Sequence, residues 1–279
     1  MFNVPIKSII VAVIGASTLV SCFSDKTEEA EEKAAGLLNE SRENFESGHY
    51  DAALLLLDSI DRSLPEAVKT RKAVSQFRPE VLERHTARQL SLTDSLMAVN
   101  AILGDSLRDM VEYVSNPIEG YYVVKGESTT TVRKNAGLHC RMSADFHYYI
   151  VATSADSRNA TAVQLTCGGE SVRSGEVPYD GERNSQTGTG VSITFTEAES
   201  EPLAEFIKKH SSDGRVVELT FINGDMQSGA LTLSPEQVRS TSIICDLSRA
   251  IRNDKTYRIE KQRLQRQLEI VRQQIANAH

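Results

Sequence analysis

The sequence predicts an α+β protein, in which a helical stalk of a hairpin and long helices carries an inserted, mostly antiparallel β sandwich or open barrel domain. Residues 26–115 contain few glycines and prolines and many residues that favour helices. Residues 118–233 are rich in glycine, threonine, valine and tyrosine, and their apolar residues alternate as in strands. From Ser234 the sequence again favours a helix, so the β segment lies between two helical segments.

The first 21 residues have the pattern of a secretory signal peptide. Lys7 supplies a positive charge, and residues 9–15 form an apolar run that is too short to span a bilayer. The small residues that follow lead to Leu19-Val20-Ser21-Cys22. These four residues resemble a lipobox, which implies cleavage before Cys22 and attachment of the chain to a lipid bilayer through acyl groups such as palmitate on that cysteine. An ordinary cleaved signal with a chance cysteine is the alternative.

The residues after Cys22 bear on localisation. Phe23 stands where an aspartate would indicate inner-membrane retention in enteric bacteria, so the analogy implies the outer membrane. The acidic residues that follow (Asp25, Glu28 and Glu29) resemble the surface-export signal of Bacteroidota lipoproteins, or they form a solvated tether. The periplasmic and the surface face therefore both stay open.

Residues 22–117 are predicted to form the N-terminal helical region. Small residues at Ser41 and Ala53, a turn at Gly48 and a helix stop at Pro65 have the spacing of a helical hairpin. This pattern resembles a single tetratricopeptide repeat, whose apolar face other elements must cover. Pro79 should bend or break the next helix, and a further helix should run from residue 80 to 115 and end at Asn116-Pro117. It carries a coiled-coil-like apolar seam: Leu92, Leu96, Val99, Leu103, Met110 and Val114.

Residues 118–233 are predicted to form the β domain. Asn223-Gly224 is a strong hairpin signal, and a helix is predicted over residues 197–210 with Thr196 and Glu199 as its capping box. The predicted strands cover residues 121–125, 130–134, 146–153, 161–167, 173–178, 191–195, 216–222 and 227–233.

Residues 234–279 are predicted to form one long helix. Ser234 and Gln237 form a capping box around Pro235. Residues 22–115 hold 11 Lys and Arg against 18 Asp and Glu, whereas residues 247–279 hold 8 against 3. We therefore expect this helix to pack on the N-terminal helices; the competing interpretation pairs it with its own copy. The seam that would pack consists of Leu264, Leu268, Val271, Ile275 and Ala278.

The whole arrangement resembles a group of Bacteroidota envelope lipoproteins. The resemblance implies the localisation and the architecture, and it carries no mechanism. It rests on five segments: residues 50–54, 58–60, 71–72, 119–123 and 178–184.

Reactive side chains are densest at His139, Cys140, Asp145 and His147. They could form a thiol nucleophile with a histidine base, or a metal site. A strand with one polar face is the favoured interpretation, because adjacent residues of a strand point to opposite faces. The phosphate-binding, zinc-helix and nucleophile-elbow motifs are missing from the sequence, so we expect no cofactor, no metal and no catalytic residue.

A second candidate site is the loop that holds Asp180, Glu182 and Arg183. These charges could bind a ligand, with Arg183 as an anion-binding group, or they could be solvated around an Asp-Gly turn. The chain contains no tryptophan, which weakens glycan binding, but four tyrosines remain as stacking surfaces: Tyr121, Tyr122, Tyr148 and Tyr179.

The three cysteines after Cys22 leave at least one thiol unpaired within a monomer. Cys140 and Cys167 both lie in the β domain and are the candidate disulfide, with burial as free thiols as the alternative.

The formal charge of −7 gives no electrostatic reason for nucleic-acid binding. The sequence thus favours a lipid-anchored envelope protein that is a non-enzymatic interaction or scaffold module for other envelope proteins. Ligand or glycan binding through the β domain is the first alternative, and a hydrolase is the second.

Overall fold

The chain is an α+β protein in the computed structural model, as the sequence predicted. The structure describes residues 10–115, 119–127, 136–211 and 214–278, with side chains from residue 26 to residue 277 within those ranges. These residues form helices and two antiparallel sheets of six and four strands, and neither sheet closes into a barrel. The predicted strand at residues 130–134, the helix end at Asn116-Pro117, residues 1–9 of the signal segment and the side chain of Cys22 lie outside what is described.

Four helices flank the β strands in the chain, and a fifth helix interrupts them. They are α1 (Ile10–Glu46), α2 (Tyr50–Ser63), α3 (Val68–Arg108), α4 (Glu197–Ser211) and α5 (Pro235–Ala278). Local signals set several of their ends. Gly48 adopts a φ of 76° in the turn between α1 and α2, where a side chain would be strained. Ser234 and Gln237 exchange backbone-to-side-chain hydrogen bonds of 3.0 and 3.1 Å at the start of α5.

The strands pair in two sheets with antiparallel neighbours throughout. In chain order the strands are β1 (Val111–Val114), β2 (Tyr121–Val124), β3 (Gly137–Ser143), β4 (Tyr148–Ser154), β5 (Ala162–Cys167), β6 (Glu170–Arg173), β7 (Asn184–Thr187), β8 (Gly190–Phe195), β9 (Glu218–Asn223) and β10 (Met226–Thr232). The six-stranded sheet has the order β1-β2-β3-β4-β8-β7, and the four-stranded sheet has the order β10-β9-β5-β6.

One compact unit combines residues 1–95 with residues 258–279. Ser41 donates a hydrogen bond of 3.0 Å to the carbonyl of Ala53, and both residues are fully buried, so α1 and α2 approach closely. The C-terminal part of α5 contributes a buried seam to this unit, namely Leu264, Leu268 and Val271. Two ion pairs join it to α3, Lys261 with Asp94 and Arg272 with Glu83, each at 2.8 Å.

The other compact unit comprises residues 96–257 and holds both sheets, α4 and the adjoining parts of α3 and α5. One continuous core joins side chains from the two sheets with Leu203 and Ile207 of α4 and Ile244 and Leu247 of α5. Because apolar residues from both sheets and from two helices share this core, the helices cover sheet faces that would otherwise meet water.

The helix predicted over residues 80–115 is wrong at both ends. Helix α3 passes through Pro79 without a break and ends at Arg108. Val74 and Val81 lie on either side of Pro79 and are fully buried, so packing outweighs the one hydrogen bond that a proline removes. Residues 111–114 form β1 instead, because they pair with β2 along their whole length.

Two details of the β prediction also need correction. A strand over residues 173–178 was predicted, but β6 spans Glu170–Arg173. It begins earlier than predicted because Gly168 and Gly169 turn the chain back directly after β5, with φ of 57° and 87°. Strands β3 and β7 were absent from the predicted set. The Asn223-Gly224 hairpin is confirmed, with Asn223 paired to Met226.

Candidate functional site

The structure separates the reactive side chains at residues 139–147. His139 and Cys140 point to opposite faces of β3, as expected for neighbours on a strand. His139 Nδ1 lies 3.5 Å from Glu127 Oε1, whereas Cys140 faces the core. Asp145 is exposed in the turn before β4. No thiol nucleophile is therefore placed beside a histidine base among these described residues.

A polar network ties the start of β4 to α4 and α5. His147 Nδ1 lies 2.6 Å from Glu197, and the buried phenol of Tyr148 donates a hydrogen bond to Glu201. Arg249 of α5 lies 2.6 Å from the same Glu201, and Arg252 pairs with Glu197. Glu197 and Glu201 are four residues apart and share one face of α4, so this row of carboxylates connects the strand to α5.

Burial and hydrogen bonding set the proton affinities in this network. Burial, followed by the hydrogen bond to Glu201, raises the pKa of Tyr148. Burial opposes ionisation of Glu201, but the hydrogen bond from Tyr148 and the charge of Arg249 outweigh it and lower the pKa of this carboxyl. A phenol that stays protonated beside a charged carboxylate is a stable donor–acceptor pair, which holds structure rather than transfers protons.

The three described cysteines are free and buried thiols. The predicted disulfide partners Cys140 and Cys167 are thus free thiols in the structure. Cys140 Sγ lies 3.7 Å from Cys245 Sγ of α5, and Cys167 lies on β5 of the other sheet. Burial raises the pKa of the Cys140 thiol well above its ordinary value. A buried thiol of this kind is a poor nucleophile, since the thiolate is the reactive form.

The loop at residues 180–183 uses its charged groups within the protein. Asp180 Oδ1 accepts hydrogen bonds from the N–H groups of Asn184 at 2.9 Å and Glu182 at 2.8 Å, and the two bonds lower the pKa of Asp180. Arg183 forms an ion pair with Glu199 in the first turn of α4. Of the three predicted ligand-binding side chains, Asp180 and Arg183 thus form contacts within the protein, and Glu182 is exposed.

Sequence reasoning did not identify Asn184, which anchors this loop. Its side-chain amide is fully buried and donates to the carbonyls of Val177 at 2.7 Å and Ala160 at 2.9 Å. Its partners lie 7 and 24 residues away in the chain, so no local sequence signal could reveal the contact.

A small cavity of about 210 Å³ lies at one end of the β4–β8–β7 segment of the larger sheet. Its lining is rich in hydroxyl groups and includes no aromatic ring: Ser154, Ala155, Ser185, Thr187, Gly190, Val191 and Ser192. The tyrosines singled out in the sequence lie elsewhere. The ring of Tyr121 lies under the guanidinium of Arg141 at 4.1 Å, and Tyr122 stacks on Phe146 at 6.0 Å.

The apolar seam that the sequence predicted along this helix is exposed in α3 at Leu92, Leu96, Val99 and Leu103. Val99 and Ile102 are 67% and 73% exposed, and Leu96 and Leu103 beside them are also exposed. We call these four residues the α3 stripe. Helix α5 packs on a different face of α3, where Asn100 donates a hydrogen bond of 2.8 Å to the carbonyl of Ala250 and Gly104 lies against the Ala250 side chain.

Within the described part of the chain, no group of three or more His, Cys, Asp or Glu residues is arranged to hold a metal ion. A helix both long enough and apolar enough to cross a membrane is likewise missing from the described residues. In comparisons with known proteins, no family model, no curated protein and no solved structure matches this chain.

Proposed function

We propose that the chain is an envelope lipoprotein that is anchored in the outer membrane through acylated Cys22 and acts as a non-enzymatic interaction module for other envelope proteins. The lipobox-like residues before Cys22 support the anchor. The observation that carries the interaction function is the α3 stripe, which leaves four large apolar side chains in water. Exposed and contiguous apolar surface of this kind marks interaction sites in soluble domains.

The stripe suits an amphipathic helix of a partner protein. Leu96, Val99 and Leu103 follow one another at steps of three and four residues, which is the spacing that a second helix covers. The residues from Ser95 to Gly104 carry no charge, so no charged group must be desolvated along this face.

The size of the stripe favours a transient contact over a permanent dimer. From Leu96 to Leu103 it extends only ~10 Å along the helix at about 1.5 Å per residue. A standard stable interface uses roughly 20–30 residues on each side. Four apolar residues therefore supply the centre of a small interface, with a partner that binds and leaves.

The hydrolase alternative is less well supported by the contacts of its candidate groups. Cys140 is buried on the face of β3 opposite to His139, His147 pairs with Glu197, and Arg183 pairs with Glu199. Each of these side chains already has a structural partner or a buried environment, whereas a catalytic group must reach substrate.

Ligand binding in the β domain is the second candidate, and the hydroxyl-lined cavity is the observation that favours it. Its four hydroxyl-bearing residues could hydrogen-bond a small polar molecule. The volume of about 210 Å³ is below the roughly 300–1,000 Å³ of typical ligand sites, so this candidate ranks second.

Photo-crosslinking in intact cells tests the interaction function. A photoreactive phenylalanine replaces Ile102 in one variant and Ala101 in the control, because Ala101 is exposed on another face of the same helix. We expect one defined adduct from position 102 that position 101 lacks, with the crosslinked partner peptide showing apolar residues at helical spacing. Adding Val99→Asp should abolish this adduct. Equal adducts from both positions contradict the proposal, and an adduct of twice the chain mass indicates self-association instead.

A separate experiment tests the anchor. Cells labelled with a fatty-acid analogue should label the wild-type chain and not the Cys22→Ser variant, whose precursor stays unprocessed. Label retained on Cys22→Ser would sink the assignment of the acylation site.

A further inference from the structure

Two buried thiols meet across the core of the β-containing unit. Cys140 on β3 and Cys245 on α5 are separated by 105 residues in the chain, yet their sulfur atoms are 3.7 Å apart. Both side chains are buried, and both belong to the same continuous core. The third described thiol, Cys167, is also buried, but on β5 of the other sheet.

The surroundings hold the two sulfur atoms against each other. Cys140 pairs in register with Ile150 of β4, and Ile150 pairs with Phe195 of β8, so the thiol projects from the middle of a packed sheet. Cys245 lies next to Ile244, which is fully buried in the same core. A disulfide needs a sulfur–sulfur distance of about 2.0 Å, so bond formation brings the two sulfur atoms, which now lie in van der Waals contact, ~1.7 Å closer together.

We propose that Cys140 and Cys245 form a disulfide in the oxidising environment outside the cytoplasm, which links α5 covalently to the six-stranded sheet and leaves Cys167 as the unpaired thiol. The inference rests on the export that the proposed function includes. The disulfide accounts for two of the three cysteines that follow Cys22, and the sequence spacing did not indicate this pair.

The bond forms by thiol–disulfide exchange with an oxidised dithiol protein of the envelope. The thiolate of one cysteine attacks that protein's disulfide and forms a mixed disulfide, and one thiolate of the oxidant leaves. The thiolate of the second cysteine then attacks the mixed disulfide and releases the oxidant as a dithiol. The two S–H bonds lose two protons and two electrons in total, and the oxidant's disulfide takes up both electrons.

The reaction must precede closure of the core. Burial keeps the Cys140 thiol protonated in the folded chain, and exchange requires a thiolate that the oxidant can reach. The bond would therefore form while α5 docks during folding, and the finished core would then shield it from reductants.

Thiol counting on the full chain tests the inference. The protein is extracted from membranes after acid quenching, denatured without reductant, alkylated with iodoacetamide and measured by mass. We expect one alkylated thiol per acylated chain, at Cys167, and three after reduction. Cys167→Ser is the matched control and should show none before reduction, whereas Cys245→Ser should free Cys140 and show two.

Three alkylated thiols on an acylated wild-type chain, or a bridge that includes Cys167, would overturn the inference and leave the lipoprotein proposal intact. A chain without acylation would instead contradict the anchor. In that case, the same purified chain is reduced, denatured and refolded in a glutathione redox buffer. Formation of the Cys140–Cys245 bridge there supports the inference independently of export, and its failure to form overturns it.

Discussion

The buried seam at the C-terminal end of α5 makes a quantitative prediction. Leu264 is 2% exposed and lies in the seam with Leu268 and Val271, so replacement by alanine leaves a cavity in the unit that residues 258–279 form with residues 1–95. Leucine-to-alanine substitutions at such positions cost about 3 kcal/mol, from lost burial and the residual cavity together. For a chain of this size, that loss corresponds to a melting temperature lower by ~6–12 °C.

The matched control is Ile270→Ala on the same helix. Ile270 is 57% exposed, so its truncation should change the free energy of unfolding by less than ~0.5 kcal/mol. Both variants and the wild type are unfolded in urea and followed by far-ultraviolet circular dichroism at two protein concentrations, with the mass of each measured by light scattering.

Equal destabilisation by Leu264→Ala and Ile270→Ala would contradict this prediction, because the burial of Leu264 would then add nothing to the free energy of unfolding. A different result separates the competing interpretation. If Leu264→Ala mainly halves the mass of a dimer and its effect on stability disappears at low concentration, α5 pairs with its own copy.

Three further predictions follow from single side chains. Gly48→Ala should lower the free energy of unfolding by about 1 kcal/mol because φ is 76° there, whereas Gly36→Ala in the interior of α1 should raise it by about 1 kcal/mol. Urea unfolding checks both variants, and changes of the same sign would contradict the assignment of the turn. Asn184→Ala should cost about 2–3 kcal/mol, since it leaves two buried carbonyls without donors, and a loss below ~0.5 kcal/mol in the same assay would refute that role. Glu201→Gln should cost about 1 kcal/mol for a half-exposed carboxylate. Because the folded pKa of Glu201 is lowered, that cost should be complete above the ordinary pKa of 4.5 and shrink as the pH falls through the lowered value; a cost that is independent of pH would exclude the carboxylate's charge as its cause.

The sequence by itself determined the fold class and several element ends, because those ends depend on neighbouring residues. A glycine that permits positive φ fixes the α1–α2 turn at Gly48. The Ser234–Gln237 capping box starts α5, and Asn223-Gly224 turns the chain between β9 and β10. Each of these signals acts through hydrogen bonds or dihedral angles within a few residues, so the sequence pattern contains all the information that is needed.

The tertiary structure alone decided which faces meet. The apolar steps of α3 predicted a buried seam, but the helix packs through Asn100 and Gly104, since a small residue lets the backbones approach and the amide satisfies a carbonyl of α5. Residues 111–114 continue the helical spacing, yet they become β1 because β2 offers them a ladder of hydrogen bonds. Local sequence propensity does not include the stability that this helix packing and strand pairing contribute, because the partners are distant in the chain.

The contacts of the candidate sites also depend on residues that are distant in the chain. Charge and residue type singled out Arg183 and Cys140, but only the fold shows that Glu199 pairs with the first and that Cys245 lies against the second. Both contacts join strands or loops to helices that follow later in the chain. Their partners are chosen by sheet register and helix packing, which depend on the whole core rather than on any local stretch of sequence.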